Sequence, residues 1–313
     1  MFKSRSIIVN ILLITTLLLI VSSCANRLIK RSRSGRVDRN VSRQHFSSIR
    51  KKVALLTFFN ESPYGGEDLG IVATEELRRE LGRTGEFIID PLTKKIFGSS
   101  KEVYAGGGVK LAQLARKAKV AGVNFVLLGR VIEARIREKT DEIGLVRETK
   151  SYTESKVEVR MFDVNSGREL LIETVRGYAD DSSFRFFSSN RIDQAKYRQD
   201  ILRYSVKVAL RKSIPKILEI SSKMDWIGRV AKIIGTKIYV NAGRASGVNI
   251  GDILRVITEG NEIFDPETGA LIGVSKGEIK GTIEIVDYFG QDGSVAILHS
   301  GGSVIEGDFV QLY

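Results

Sequence analysis

The chain has 313 residues, 42% hydrophobic and 27% charged, with a formal charge of +12, a composition of ordinary globular type with room for about two domains. The charge is confined: residues 1–52 carry twelve Lys or Arg against Asp38 alone, whereas residues 53–313 carry 37 basic and 36 acidic side chains. That near-neutral remainder lacks the footprint of a nucleic-acid-binding domain, and the inventory of one cysteine, Cys24, and two distant histidines, His45 and His299, excludes an internal disulfide and argues against a metal site or a histidine triad.

Lys3 and Arg5 form a short basic start. Ile7 to Val21 is then almost wholly apolar, broken by Asn10, Thr15 and Thr16. This run is short for a membrane span, which needs about 20 residues, and suits the apolar region of a secretory signal. Val21-Ser22-Ser23-Cys24 resembles the bacterial lipobox: an aliphatic residue, two small ones, then cysteine. The resemblance implies cleavage before Cys24, lipid on its thiol and acylation of the new amine. Several chains are needed because each buried CH₂ contributes about 0.8 kcal/mol and one chain anchors only marginally. Ala25, where an aspartate would imply retention in the inner membrane, points to the outer membrane. Against this stand Arg27, Lys30, Arg31, Arg33, Arg36 and Arg39, since basic residues just beyond an apolar run resist translocation. They would suit an uncleaved anchor with an incidental cysteine. Residues 26–50 have few apolar groups and cannot bury a core. They read as a tether with a reach of roughly 25–30 Å, either held to anionic headgroups or simply solvated.

From Lys52 to Phe59 an apolar run predicts a buried strand, ended by Asn60-Glu-Ser-Pro63. Leu69, Ala73, Leu77 and Leu81 recur every four residues and predict a helix over 67–81, bounded by Gly82 and Gly85. Phe87–Ile89 is a brief strand before Asp90-Pro91. Leu111, Leu114, Ala115 and Ala118 mark a second helix closed by Gly122. Val123–Leu128 is a strand, with Gly129 allowing a bend or a close approach. Arms over 131–137, 149–164 and 169–178 alternate in polarity, as in an antiparallel sheet with one covered face. Asn165-Ser-Gly167 turns between the last two. A helix over 195–213 closes the segment, and Pro215 is expected to end or kink it.

The blocks "VALLTFFNES", "LRRELGRTGEFIID", "LAQLARKAKVAGVNFVLLGRV" and "VEVRMFDVNSGREL" resemble, in order and spacing, the curli-secretion lipoprotein family (CsgG-like) over about residues 51–220. Related periplasmic domains occur in activators of cell-wall synthases and in flagellar assembly protein T. Channel members of the family insert two hairpins per subunit into the outer membrane, where a strand needs about 9–11 residues with alternate ones apolar. The corresponding segments here, 132–152 and 177–197, are short and charged, so the chain is read as a soluble relative. Phe184, Phe186 and Phe187 in the second segment are a docking patch if exposed and core if they cover the sheet.

Residues 225–313 are Gly-rich, with seven basic and twelve acidic residues. Short apolar runs at 227–234, 237–240, 253–258, 282–286, 295–298 and 309–312 argue a compact barrel or sandwich. Gly247-Val-Asn-Ile-Gly251-Asp252-Ile and Ser303-Val-Ile-Glu-Gly307-Asp308-Phe form a near-repeat. Each predicts a turn with glycine at positive φ, closed by aspartate; the alternative is a catalytic Asp252–Asp308 pair. "KIYVNAGRASGVNIGDILRV", "IFDPETGALIGV" and "GTIEIVDYFGQDGSVA" resemble the C-terminal domain of flagellar assembly protein T.

These readings imply an α/β (α+β) domain with a mixed sheet and flanking helices, then a small all-β barrel-like domain. The boundaries are a signal peptide over 1–23, a lipidated basic tether over 24–50, and domains over 51–224 and 225–313. No phosphate loop, nucleophile motif or metal cluster appears, and neither an enzyme nor a cofactor is expected. The expected function is that of a lipoprotein on the periplasmic side of the outer membrane, an adaptor in a flagellar or curli-like assembly and a candidate homo-oligomeric ring. A curli-type secretion channel and a regulator of a cell-wall synthase are the alternatives.

Overall fold

The computed structural model describes residues 49–89, 96–143, 146–180, 194–269 and 271–313. They form a mixed α+β domain followed by a closed β-barrel.

In the first domain β1 (Lys51–Leu55) lies parallel between β3 (Phe87–Ile89) and β4 (Phe125–Ile143). From β4 the sheet continues antiparallel through β5 (Val146–Asp163) to β6 (Glu169–Asp180). The short β2 (Phe59–Asn60) also pairs with β4. Val53, Leu55, Phe125 and Leu127 pack on one side with Leu69, Ala73, Leu77 and Leu81 of α1 (Asp68–Thr84) and with Leu202, Val206 and Leu210 of α3 (Gln194–Lys223). Ala54, Leu56, Val126 and Leu128 face the other way, onto Leu114 and Ala118 of α2 (Ser100–Ala121). Cover on both faces is why these strands read as unbroken apolar runs. Among the described side chains of β5, Val157, Val159 and Met161 enter the α1/α3 core, which accounts for the alternation there.

Three expectations are corrected. The strand over 123–128 and the arm over 131–137 are one strand, β4, with a bulge between Val131 and Glu133. The second helix begins well before Leu111: Ser99 accepts from Lys101 N at 3.3 Å and caps it. Its three consecutive glycines, Gly106–Gly108, hide that start because glycine is a weak helix former. Pro215 does not end the last helix, which runs on to Lys223. Proline removes one N–H from the helix ladder, but Ile217 beyond it is fully buried, with Ile214 and Leu218 packed alongside. That burial outweighs one lost bond.

The barrel closes in the order β12 (Ile279–Phe289), β13 (Gly293–Gly301), β8 (Lys237–Val240), β7 (Ile227–Ile234), β14 (Phe309–Leu312), β9 (Ile253–Ile257) and back to β12. Val230, Val240, Leu254, Val256, Ile283, Ile285 and Val310 fill it. Outside it stands a hairpin of β10 (Glu262–Phe264) and β11 (Leu271–Val274), absent from the sequence-based strand list. Its three and four residues are too short to show a period.

Candidate functional site

Cys24, His45 and the Phe184, Phe186 and Phe187 cluster lie outside the described residues. The remaining expected positions are places where backbone is shaped. Asn60 clamps the loop after β2: its Nδ2 donates to Tyr64 O at 2.7 Å and Gly66 O at 2.9 Å, and its Oδ1 accepts from Ser62. Gly129 lies under the Phe58 ring and the Glu158 carbonyl, where any Cβ would collide. Gly167, with φ of 68°, ends a turn whose N–H groups at Asn165 and Ser166 are held by Asp163.

The near-repeat has one geometry in two places. Gly251 and Gly307 have φ of 90° and 93°. Asp252 accepts from Asn249 N at 2.7 Å and Asp308 from Ile305 N at 2.8 Å, each three residues back. Asp308 is also paired with Lys280 at 2.9 Å. The catalytic-pair alternative fails on register. Phe309 pairs with Ile257 and Leu312 with Leu254, so the two aspartates flank opposite ends of the β9–β14 pair, about 20 Å apart along the strands.

What the sequence reading missed is a polar seam joining the domain to the barrel. Asn124, before β4, accepts from Lys52 N at 2.8 Å and donates to Ile227 O of β7 at 2.9 Å. Arg229 of β7 donates to Lys119 O in the last turn of α2 at 2.7 Å and to Gly307 O at 3.0 Å. A cation there also complements the negative end of the helix. Lys52 pairs with Asp292 at 2.9 Å, and Asp292 in turn accepts from Gly243 and Ser246. Lys51 donates to Ser221 O at 2.7 Å, near the end of α3. Ile49 packs against the barrel core and Arg50 N bonds Ser246 O, so both residues assigned to the tether touch the barrel. Between the modules lies a small cleft lined by Asn124, Asp163, Asn165, Asp225, Arg229 and Phe309. Asn124, Asp163 and Arg229 in that lining already have hydrogen-bond partners within the fold.

A second cluster sits on the α2 side of the sheet. Glu158 of β5 accepts from Tyr104 Oη at 2.6 Å, Arg160 Nε at 2.8 Å and Arg130 at 3.2 Å. Both guanidinium carbons lie 4.8 Å from the Tyr104 ring centre, within cation–π reach. Burial would raise the Glu158 carboxyl, but the three donors outweigh it and hold it below its ordinary range. Burial, reinforced by the bond to Glu158, pushes the Tyr104 phenol far upward. With the acid ionised and the phenol protonated near neutral pH, the cluster is a brace rather than a proton-transfer pair. Among the described residues there is no group of His, Cys, Asp and Glu placed to hold a metal ion, and no helix long and apolar enough to cross a membrane.

No family model and no curated protein matches the chain. Among solved structures it is similar to a hypothetical protein from Chlamydia trachomatis, at 17% identity over 54% of this chain and 95% of that one, with a TM-score of 0.33. It is similar to a lipoprotein from Neisseria meningitidis, at 17% identity over 54% of this chain and 99% of that one, with a TM-score of 0.29. A third is the C-terminal domain of LpoB from Salmonella enterica, at 14% identity over 41% of this chain and 83% of that one, with a TM-score of 0.28. At TM-scores this low the likeness decides nothing about what this chain does.

The seam and the brace escape a sequence reading because their members are scattered: Asn124 and Ile227 are 103 residues apart, and Tyr104 and Glu158 are 54 apart. One signal was present. Glu158 and Arg160 are charged residues alternating with core positions, so they mark the sheet face on which partners had to be found.

Proposed function

We propose that the chain is a lipoprotein anchored through Cys24 on the periplasmic side of the outer membrane, where it acts as a non-catalytic adaptor in an envelope assembly. The observation that carries this reading is Val21-Ser22-Ser23-Cys24, which places the sole cysteine directly after a short apolar run. The welded domain and barrel fit an adaptor, since a rigid body on a tether raises the effective concentration of its binding surfaces at the membrane. The resemblances to curli-secretion lipoproteins and to the C-terminal domain of flagellar assembly protein T favour a flagellar or curli-like machine. Regulation of a cell-wall synthase is the second form of the same adaptor role.

The secretion-channel reading finds less support. Among the described residues β5 pairs with β6 as far as Tyr152 with Asp180, and the β4–β5 ribbon runs six pairs further, to Ile143 with Val146. A membrane strand needs about 9–11 residues. The second candidate hairpin falls largely outside the described residues.

The test is metabolic labelling with an alkyne fatty acid in a bacterial host. The wild-type chain takes up label and partitions with outer-membrane vesicles. Cys24→Ser takes up none and accumulates as the precursor. Unchanged labelling of Cys24→Ser, or a wild-type chain whose N-terminus is still Met1, overturns the anchor.

A further inference from the structure

Strand β6 is the last strand of the mixed sheet, and among the described residues nothing pairs with the outer edge of its 12 residues. A long free edge is a template for another strand unless it is guarded. Half of this one is guarded. Lys212 of α3 reaches round the edge, donates to Arg176 O at 2.8 Å and lies 5.6 Å from the Tyr178 ring centre. In an antiparallel pair, alternate residues turn both backbone groups to the same side. With Arg176 facing outward, so do the N–H and C=O groups of Thr174 and Ile172, and no described side chain covers them.

The open half also has a definite chemistry. Ile172 is 59% exposed. Glu173, on the α3 side with Leu171 and Val175, has one carboxylate oxygen buried without any donor. Glu169, at the head of the strand, has only a share of Arg160 at 3.5 Å, because Arg160 is committed to Glu158 at 2.8 Å. Burial raises both carboxyls above their ordinary range, as expected of acids short of donors.

We propose that the 169–174 half of β6 receives an extended segment of a partner protein as an added strand, one in which Lys or Arg alternates with β-branched apolar residues. The period of two along a strand sets the apolar positions over Ile172 and the cations on the side of Glu173. Backbone pairing would supply affinity and the alternating side chains selectivity. A second copy of the chain fits worse: residues 169–175 are Glu-Leu-Leu-Ile-Glu-Thr-Val, so self-pairing adds two carboxylates and no cation. The inference does not depend on the compartment or on the anchor.

The probe is the peptide acetyl-Val-Lys-Val-Lys-Val-Lys-Val-amide, added to the full chain in mild detergent and followed by hydrogen–deuterium exchange. The outward amides of Ile172 and Thr174 become protected, and a peptide with Glu in place of Lys binds about tenfold or more weakly. Ile172→Pro removes an N–H that faces away from β5, a change that an edge strand tolerates, and it abolishes the protection. Glu173→Gln, which alters no backbone group, weakens binding of the Lys peptide by about fivefold and keeps the test valid if Ile172→Pro does not fold. The proposal is overturned by absence of protection at millimolar peptide, or by equal protection from both peptides. Protection of the same amides without peptide, rising with protein concentration, also overturns it and assigns the edge to a second copy.

Discussion

Glu158 shows how one side chain ties three elements together. It joins β5 to Tyr104 of α2 and to Arg130 of β4, and its own carbonyl lies against Gly129. Glu158→Gln keeps the shape but loses the charge, leaving two guanidiniums facing a neutral acceptor. We expect a loss of about 2 kcal/mol, or roughly 4–8 °C in melting temperature for a fold of this size. The folded-state pKa lies below the ordinary value of 4.5. Its stabilisation is therefore fully present above that value and fades as pH falls through the folded pKa. Wild type and Glu158→Gln should differ most near neutral pH and converge in acid. A gap that stays constant down to the lowest pH at which the fold survives would show that the charge is not what matters.

At the scale of elements, α3 holds more than its sequence suggests. It packs on β6 and β5 and meets α1, where Arg211 reaches the buried Glu76 at 3.0 Å. Pro215 sits in its interior on the exposed side. Proline in a helix interior costs about 3 kcal/mol relative to alanine, part of which is returned by a stiffer unfolded chain. Pro215→Ala should therefore stabilise the protein by about 1–2 kcal/mol, read as a higher urea midpoint at an unchanged slope. A lower midpoint would mean that the proline fits a bend the packing requires. Apolar spacing located the helix; only the burial of Ile217 decided that it passes the proline.

For the molecule as a whole, the seam determines whether two modules behave as one. Only Met224, Asp225 and Trp226 separate α3 from β7, and Trp226 is buried with the barrel core. It is also the sole tryptophan of the chain, so its fluorescence reports the barrel while far-ultraviolet dichroism reports both modules. The two probes should unfold with one midpoint in the wild type. Asn124→Ala strands the Lys52 N–H and the Ile227 carbonyl, at a cost of about 2 kcal/mol, and should lower both midpoints and begin to part them. Separate midpoints already in the wild type would show that the seam does not couple the modules.

The sequence by itself determined the charge asymmetry, the lipobox-like segment with Cys24, the class of each module and the two Gly-Asp turns. All of these rest on local features: composition, periods of two and of nearly four, and glycines whose φ only glycine readily adopts. The tertiary structure decided the rest. It made one strand of β4 across Gly129, carried α3 past Pro215, set Asp252 and Asp308 at opposite ends of a strand pair, and brought Asn124, Arg229 and Lys52 to one seam. Each of these outcomes depends on contacts between residues far apart in the chain, and the energy of such contacts is set by burial and by the partner found, neither of which a residue's sequence neighbours specify.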